Sequence, residues 1–211
     1  MVKIYGLLTP NVLKPVLAAE ELSINYEHVN VDLTKGEQKM PAHIKRHPFG
    51  MVPVLEHEGK FLWESNTITR YLGNFTENKL YPTDKWKRAQ VEQWMDFASN
   101  HVGRYVTGIF FQRCVASKVF HLPINEPKVR EFEENLSKEM PLLDKHLATN
   151  KYLTGNDYTL ADVTLFSLVS PYKMANLELS QYKNFEKWYR AVKERPAVQK
   201  VLPKLPMPYV S

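Results

Sequence analysis

The spacing of apolar positions changes period several times along this chain. Residues 2–6 read as a short strand, 12–22 repeat apolar positions at helical spacing, and 26–32 alternate as a second strand, so the chain opens strand, helix, strand. Pro15 is expected in or beside the first turn of that helix, where a missing N–H costs least. Residues 35–48 are polar and turn-rich, with room for one short helix. A hairpin is predicted from 54–56 and 60–63 across Glu58-Gly59, and Ser65 then opens an amphipathic helix bearing Ile68, Tyr71 and Leu72. Residues 74–84 lose all periodicity. Beyond Trp86 the pattern is helical almost to the end, predicting helices over about 85–119, 126–149, 159–170 and 182–194, the second kinked by Pro141. The expected organisation is an α/β N-terminal domain over 1–74, a linker over 75–84 and an all-α domain over 85–211.

Composition narrows the setting. With 211 residues, 44% hydrophobic and 24% charged, the chain can bury proper cores in one large or two small domains. No apolar run approaches the roughly 18 residues of a bilayer span, and the first residues carry no basic-then-apolar leader. Cytoplasm is the expected address, with no membrane partner. The single cysteine, Cys114, excludes an internal disulfide framework and, in a helical, aromatic-rich stretch, reads as a small buried apolar residue. The net charge of +5 arises from basic residues scattered among acidic ones, which is a solvated surface rather than a nucleic-acid footprint. No metal site is expected.

The candidate chemistry lies in three places. Val52-Pro53, within Phe49-Gly50-Met51-Val52-Pro53-Val54-Leu55, is a candidate cis bond, and a turn there leaves the Val52 backbone free to pair with an extended peptide. Glu64-Ser65 stands at a strand-to-helix junction, where free N–H groups and a positive helix end face an anion. Thr9-Pro10-Asn11 stands where the first strand hands over to the first helix; its hydroxyl and amide could donate to a thiolate, although Thr, Pro and Asn are also what an ordinary helix start selects. Thr159-Leu160-Ala161-Asp162 reads as a capping box with a structural role.

Taken together, these motifs resemble the cytosolic glutathione transferases over essentially the whole chain. Lys3-Ile4-Tyr5-Gly6, Asp32-Leu33 to Gly36-Glu37-Gln38-Lys39, Pro48-Phe49-Gly50, Val52-Pro53 and Glu64-Ser65 resemble the family's thioredoxin-like half; Tyr152-Leu153-Thr154-Gly155 and Thr159-Leu160-Ala161-Asp162 resemble its helical half. The resemblance implies a co-substrate, glutathione, and no metal. It implies that Thr9 and Asn11 activate the thiol, Val52 and Pro53 hold the cysteinyl backbone, Glu64 and Ser65 hold the γ-glutamyl group, and Gln38 and Lys39 meet the glycyl carboxylate. The body is phi-like, but the turn lacks the serine of that class and is similar to the nu class, whose favoured reaction is disulfide reduction. Tyr5 lies inside the first strand and reads as a packing residue. Leu7, Leu8, Tyr105, Phe110, Phe111 and Arg113 are candidates for an electrophile pocket, with Arg104 or Arg113 as an alternative anchor for a second glutathione; aromatic residues at this spacing are also what a core contains. Conjugation of the glutathione sulfur to hydrophobic electrophiles is the expected function. Glutathione-dependent disulfide or peroxide reduction and a non-catalytic binding protein of the same fold are the alternatives. A homodimer is implied as well.

Overall fold

Four short strands make one mixed sheet in the order β2-β1-β3-β4. β1 (Val2–Tyr5) runs parallel to β2 (Tyr26–Val29) and antiparallel to β3 (Val54–His57), which turns back on β4 (Lys60–Trp63). The parallel pair needs a crossover, supplied by α1 (Pro10–Glu21), and α3 (Ser65–Gly73) packs beside it. A short α2 (Pro41–Ile44) interrupts the polar stretch between β2 and β3. These elements come from the computed structural model, which describes residues 1–77 and 80–206. Residues 78–79 of the expected linker and 207–211 at the end of the expected helical domain lie outside the described residues.

The rest is helical: α4 (Lys85–Asn100), α5 (Val102–Phe110), α6 (Glu126–Thr149), α7 (Leu160–Val169), α8 (Lys183–Lys193) and α9 (Pro196–Val201). All ten residues of α7 are buried. It packs against α1, α4 and α5, and one hydrophobic core runs from Val2 and Ile4 through to Val201. A smaller cluster of Tyr5, Val31 and Val54 covers the other face of the sheet. α9 is fastened to α1 by Arg195, whose guanidinium donates to both oxygens of Glu21 at 2.6 Å, and by Lys200 to Glu20 at 2.6 Å.

The α/β half followed by an all-α half agrees with the sequence expectation, and Val52-Pro53 is cis. Several boundaries differ. α1 begins at Pro10, so Pro15 lies inside the helix rather than in its first turn, and the carbonyl of Asn11 lacks the donor that residue 15 would otherwise supply. The expected helix 85–119 is three pieces: it breaks at His101 (φ −118°, ψ −112°), resumes as α5, and widens into π-helical turns over Phe111–Val119. α6 continues through Pro141 as one element. α9 was not foreseen.

The buried carboxylate of Asp162 ties the helical half together. It accepts from the backbone N–H groups of Thr159 and Leu153, both at 3.0 Å, and from Trp188 Nε1 at 2.8 Å, within a reciprocal capping box. Burial still pushes its pKa up to about 6, against these donors. Cys114 is buried, with its thiol on the carbonyl of Met174 at 3.2 Å, and burial pushes its pKa up.

Candidate functional site

Two cavities meet beside the start of α1. The smaller, about 410 Å³, is polar: Lys14, His47, Glu64, Ser65, Asn66 and Arg70 line it together with residues of α4. The larger, about 810 Å³, is mostly apolar and runs from Leu7, Thr9 and Pro10 across to Phe110, Phe111, Val115 and Phe132. Asn11, Met51 and Val52 line both, so the Thr9–Asn11 turn and the cis-proline turn form the rim between them.

Each part of that rim has a local cause. Thr9 is the residue before α1, in an extended conformation, yet its hydroxyl caps nothing: its N–H bonds Leu7 O at 2.5 Å and no side-chain cap bond forms. Asn11 is exposed. Among the described residues neither side chain has a hydrogen-bond partner, and neither backbone group of Val52 is paired. Across the junction, Glu64 adopts φ +72°, a conformation L-residues avoid, and this places Ser65 as the first residue of α3 with its backbone at the helix's positive end. On the opposite wall, Gly50 at φ +59° lets the 36–39 loop close down; a Cβ there would stand 2.7 Å from Gln38 O. Lys39 Nζ donates to Phe49 O at 2.9 Å, while Gln38 Oε1 is buried without a protein partner.

The structure therefore brings Thr9, Asn11, Gln38, Lys39, Val52 and Leu7 together with Phe110 and Phe111 around the larger cavity, and Pro53, Glu64 and Ser65 around the smaller one. Three expected pocket residues stand elsewhere. Leu8 is buried in the core, and Tyr105 packs against the core with its ring 5.9 Å from Phe132. Arg113 is tied to Glu133 at 2.6 Å and Ala175 O at 2.8 Å. Arg104, by contrast, lines the larger cavity. Tyr5 lines neither; its hydroxyl donates to Glu56 at 2.5 Å, Arg46 lies 4.5 Å over its ring, and burial together with Glu56 pushes its pKa up to about 12, the reverse of an activating group.

Comparison with known proteins agrees with this layout. The profile of the glutathione S-transferase N-terminal domain matches residues 1–74, and that of the glutathione S-transferase C-terminal domain matches 116–204. The chain belongs to the glutathione S-transferase family. Among curated glutathione S-transferases, a probable one from rice (Oryza sativa subsp. japonica), GSTF2, is 33% identical over 94% of each chain. Glutathione S-transferase 3 of maize (Zea mays) is 32% identical, covering 98% of this chain and 95% of its own. Among solved structures, glutathione transferase F7 of Populus trichocarpa superposes with a TM-score of 0.89 at 27% identity, covering 98% of this chain and all of its own. Maize glutathione S-transferase I in complex with an atrazine glutathione conjugate gives 0.84 at 29% identity over 95% of each chain. These plant relatives agree with the phi-like body read from the sequence. Among the described residues no group of three or more His, Cys, Asp or Glu side chains is placed to hold a metal ion, and no helix is long and apolar enough to cross a membrane.

Sequence reasoning about this glutathione S-transferase missed Lys14, Asn66, Arg70 and the α4 residues Asp96, Ser99 and Asn100, which complete the polar cavity. It also missed Gln112, Val115, Val119 and Phe120, brought to the apolar cavity by the π-helical turns. Only Lys14 carried a signal: it is the one charged residue within the apolar run Val12 to Ala19.

Proposed function

We propose that this chain ionises the thiol of glutathione and transfers its sulfur to an apolar electrophile. One observation carries the reading: a polar cavity and an apolar one meet at a rim whose Thr9 and Asn11 side chains have no hydrogen-bond partner among the described residues. Glutathione then lies along the rim, its γ-glutamyl group on Glu64 and Ser65, its cysteinyl backbone on Val52 beside Pro53, and its glycyl carboxylate toward Gln38 and Lys39. A free thiol ionises near pH 8.5, so each unit of depression requires about 1.4 kcal/mol of preferential thiolate stabilisation. The Thr9 hydroxyl, the Asn11 amide and the start of α1 supply it; the thiol proton leaves to solvent. The thiolate lone pair forms a C–S bond to an electrophile held by Leu7, Phe110 and Phe111, and the leaving group departs with its bonding pair. In this division of labour residues 1–74 bind glutathione and 85–211 supply the acceptor wall, with 75–84 between them.

A second reading, reduction of glutathione mixed disulfides, is favoured by the charges of the larger cavity. Among the described residues its lining holds Lys39, Arg104 and Lys128 and no acidic side chain, which suits the carboxylates of a second glutathione. Steady-state rates with glutathione against an aryl chloride and against a glutathione mixed disulfide separate the two. Faster aryl conjugation, reduced in Thr9→Val, supports transfer to carbon; dominant disulfide reduction replaces it with the second reading, and no turnover with either removes both. The reading includes a cytoplasmic homodimer. Phe49, 63% exposed, Met51, 50% exposed, and Trp63, its ring 6.0 Å from that of Phe49, form an apolar patch beside the site that suits self-association. A monomeric mass by light scattering at micromolar concentration would remove the dimer.

A further inference from the structure

Lys14 is 2% exposed on α1, where its chain neighbours Val12, Leu13, Pro15 and Val16 are buried apolar residues, and it lines the polar cavity. A buried ammonium ordinarily stands beside a carboxylate, yet no ion pair to Lys14 exists among the described residues. Its Nζ instead donates to Asn66 Oδ1 at 3.0 Å, and Asn66 Nδ2 continues to Ser99 Oγ at 2.9 Å. The chain Lys14–Asn66–Ser99 thus runs through the lining of the same polar cavity that Glu64 and Ser65 line. The amide presents its oxygen to the lysine and its nitrogen to α4, an orientation that keeps one acceptor on the ammonium without pairing its charge.

We propose that Lys14 anchors the α-carboxylate end of the γ-glutamyl group, and that its amine takes up one proton from solvent as that carboxylate enters. This rests on the glutathione reading above. In the unliganded site burial pulls the Lys14 pKa down to about 7, with Glu64 acting to raise it and Arg70 to lower it. The other charged groups around it are accounted for. Asp96 is paired with Arg70 at 2.5 Å; His47, in the same cavity, has its pKa lowered by burial and by His43 and is neutral above its ordinary value. On the further elements packed against α1, Asp162 of α7 is held by Thr159, Leu153 and Trp188, and Lys200 of α9 by Glu20. A ligand carboxylate favours the ammonium form, so the bound pKa lies above the free one. Affinity is then greatest below the free value and falls as pH rises through it.

The test is calorimetric titration of the full chain with S-methylglutathione, which has no thiol proton to release, in buffers of different ionisation enthalpy just above neutral pH. The expected result is proton uptake by the wild type and an affinity that falls by up to about tenfold per pH unit above neutrality. Lys14→Arg, which keeps the charge at every pH used, should bind without uptake and with a flat profile, and His47→Gln should keep the wild-type uptake. Binding by the wild type with no proton uptake overturns the assignment without need of any variant. So does uptake that persists in Lys14→Arg or disappears in His47→Gln. Failure of the wild type to bind S-methylglutathione at all overturns the glutathione reading itself and this inference with it.

Discussion

Thr9 and Thr159 occupy the same position, the extended residue immediately before a helix, and the two turns behave in opposite ways. At Thr159 the donors are spent inward: its N–H and hydroxyl face the Asp162 carboxylate, which also holds Leu153 and Trp188, and everything is buried. At Thr9 the side chain caps nothing, Pro10 has no N–H to satisfy, and the next polar residue, Asn11, is exposed and lines both cavities. A helix start is therefore structural or chemical according to where its polar groups are directed, and the difference is decided three residues on. Asp162 stands at the N3 position of α7; Val12, buried and apolar, stands at the matching position of α1 and closes no capping box.

The contrast can be broken most severely at Asp162. Replacing it by Ala strands three buried donors and should cost about 3–5 kcal/mol of stability by chemical denaturation, more than an ordinary cap. A loss as small as that of an exposed cap would mean that the carboxylate is not the tie point described here. Next in size is Ser65, the first residue of a third helix, whose N-cap, Glu64, also makes no side-chain cap bond. Ser65→Ala should weaken glutathione binding by about 1–3 kcal/mol in calorimetry with the fold intact, and unchanged affinity would remove Ser65 from the site. Thr9→Val should raise the pKa of the bound thiol by about one unit, read from its thiolate absorbance, and slow turnover about tenfold near neutral pH. Its melting temperature should stay that of the wild type, because no cap bond is lost; a drop would move Thr9 to the structural side. Thr159→Val should do the reverse, costing about 1 kcal/mol of stability while leaving the thiol pKa alone.

Much of the architecture was legible because periodicity reports it. The alternation in β2, the hairpin across Glu58-Gly59 and the capping box each follow from local rules, and the cis Val52-Pro53 bond and Cys114 stand as expected. What was not legible depends on packing between distant segments. Nothing about His101 as a residue type announces a helix break, and the widened turns from Phe111 to Val119 keep an apolar pattern compatible with an ordinary α-helix. Leu8, Tyr105 and Arg113 were near the right place in sequence, but the core and Glu133 claim them. Lys14 stands out as a lone charge in an apolar run, but only the packing of α3 against α1 and the bond from Lys14 to Asn66 show where that charge is directed.

The Asn66 side chain, described above as the link between Lys14 and Ser99, also sets how this protein can be recombined. It reaches from the first half of the chain to the second, touching Ser99 Oγ at 2.9 Å and Met95 O at 3.4 Å, while Arg70 repeats the crossing to Asp96. Exchanging one half with that of a relative would therefore cut through the lining of the polar cavity rather than through a neutral seam. A functional chimera would have to carry positions 14, 66, 70, 96 and 99 as a single block, so the two halves of this chain are exchangeable only together, even where their profiles match separately.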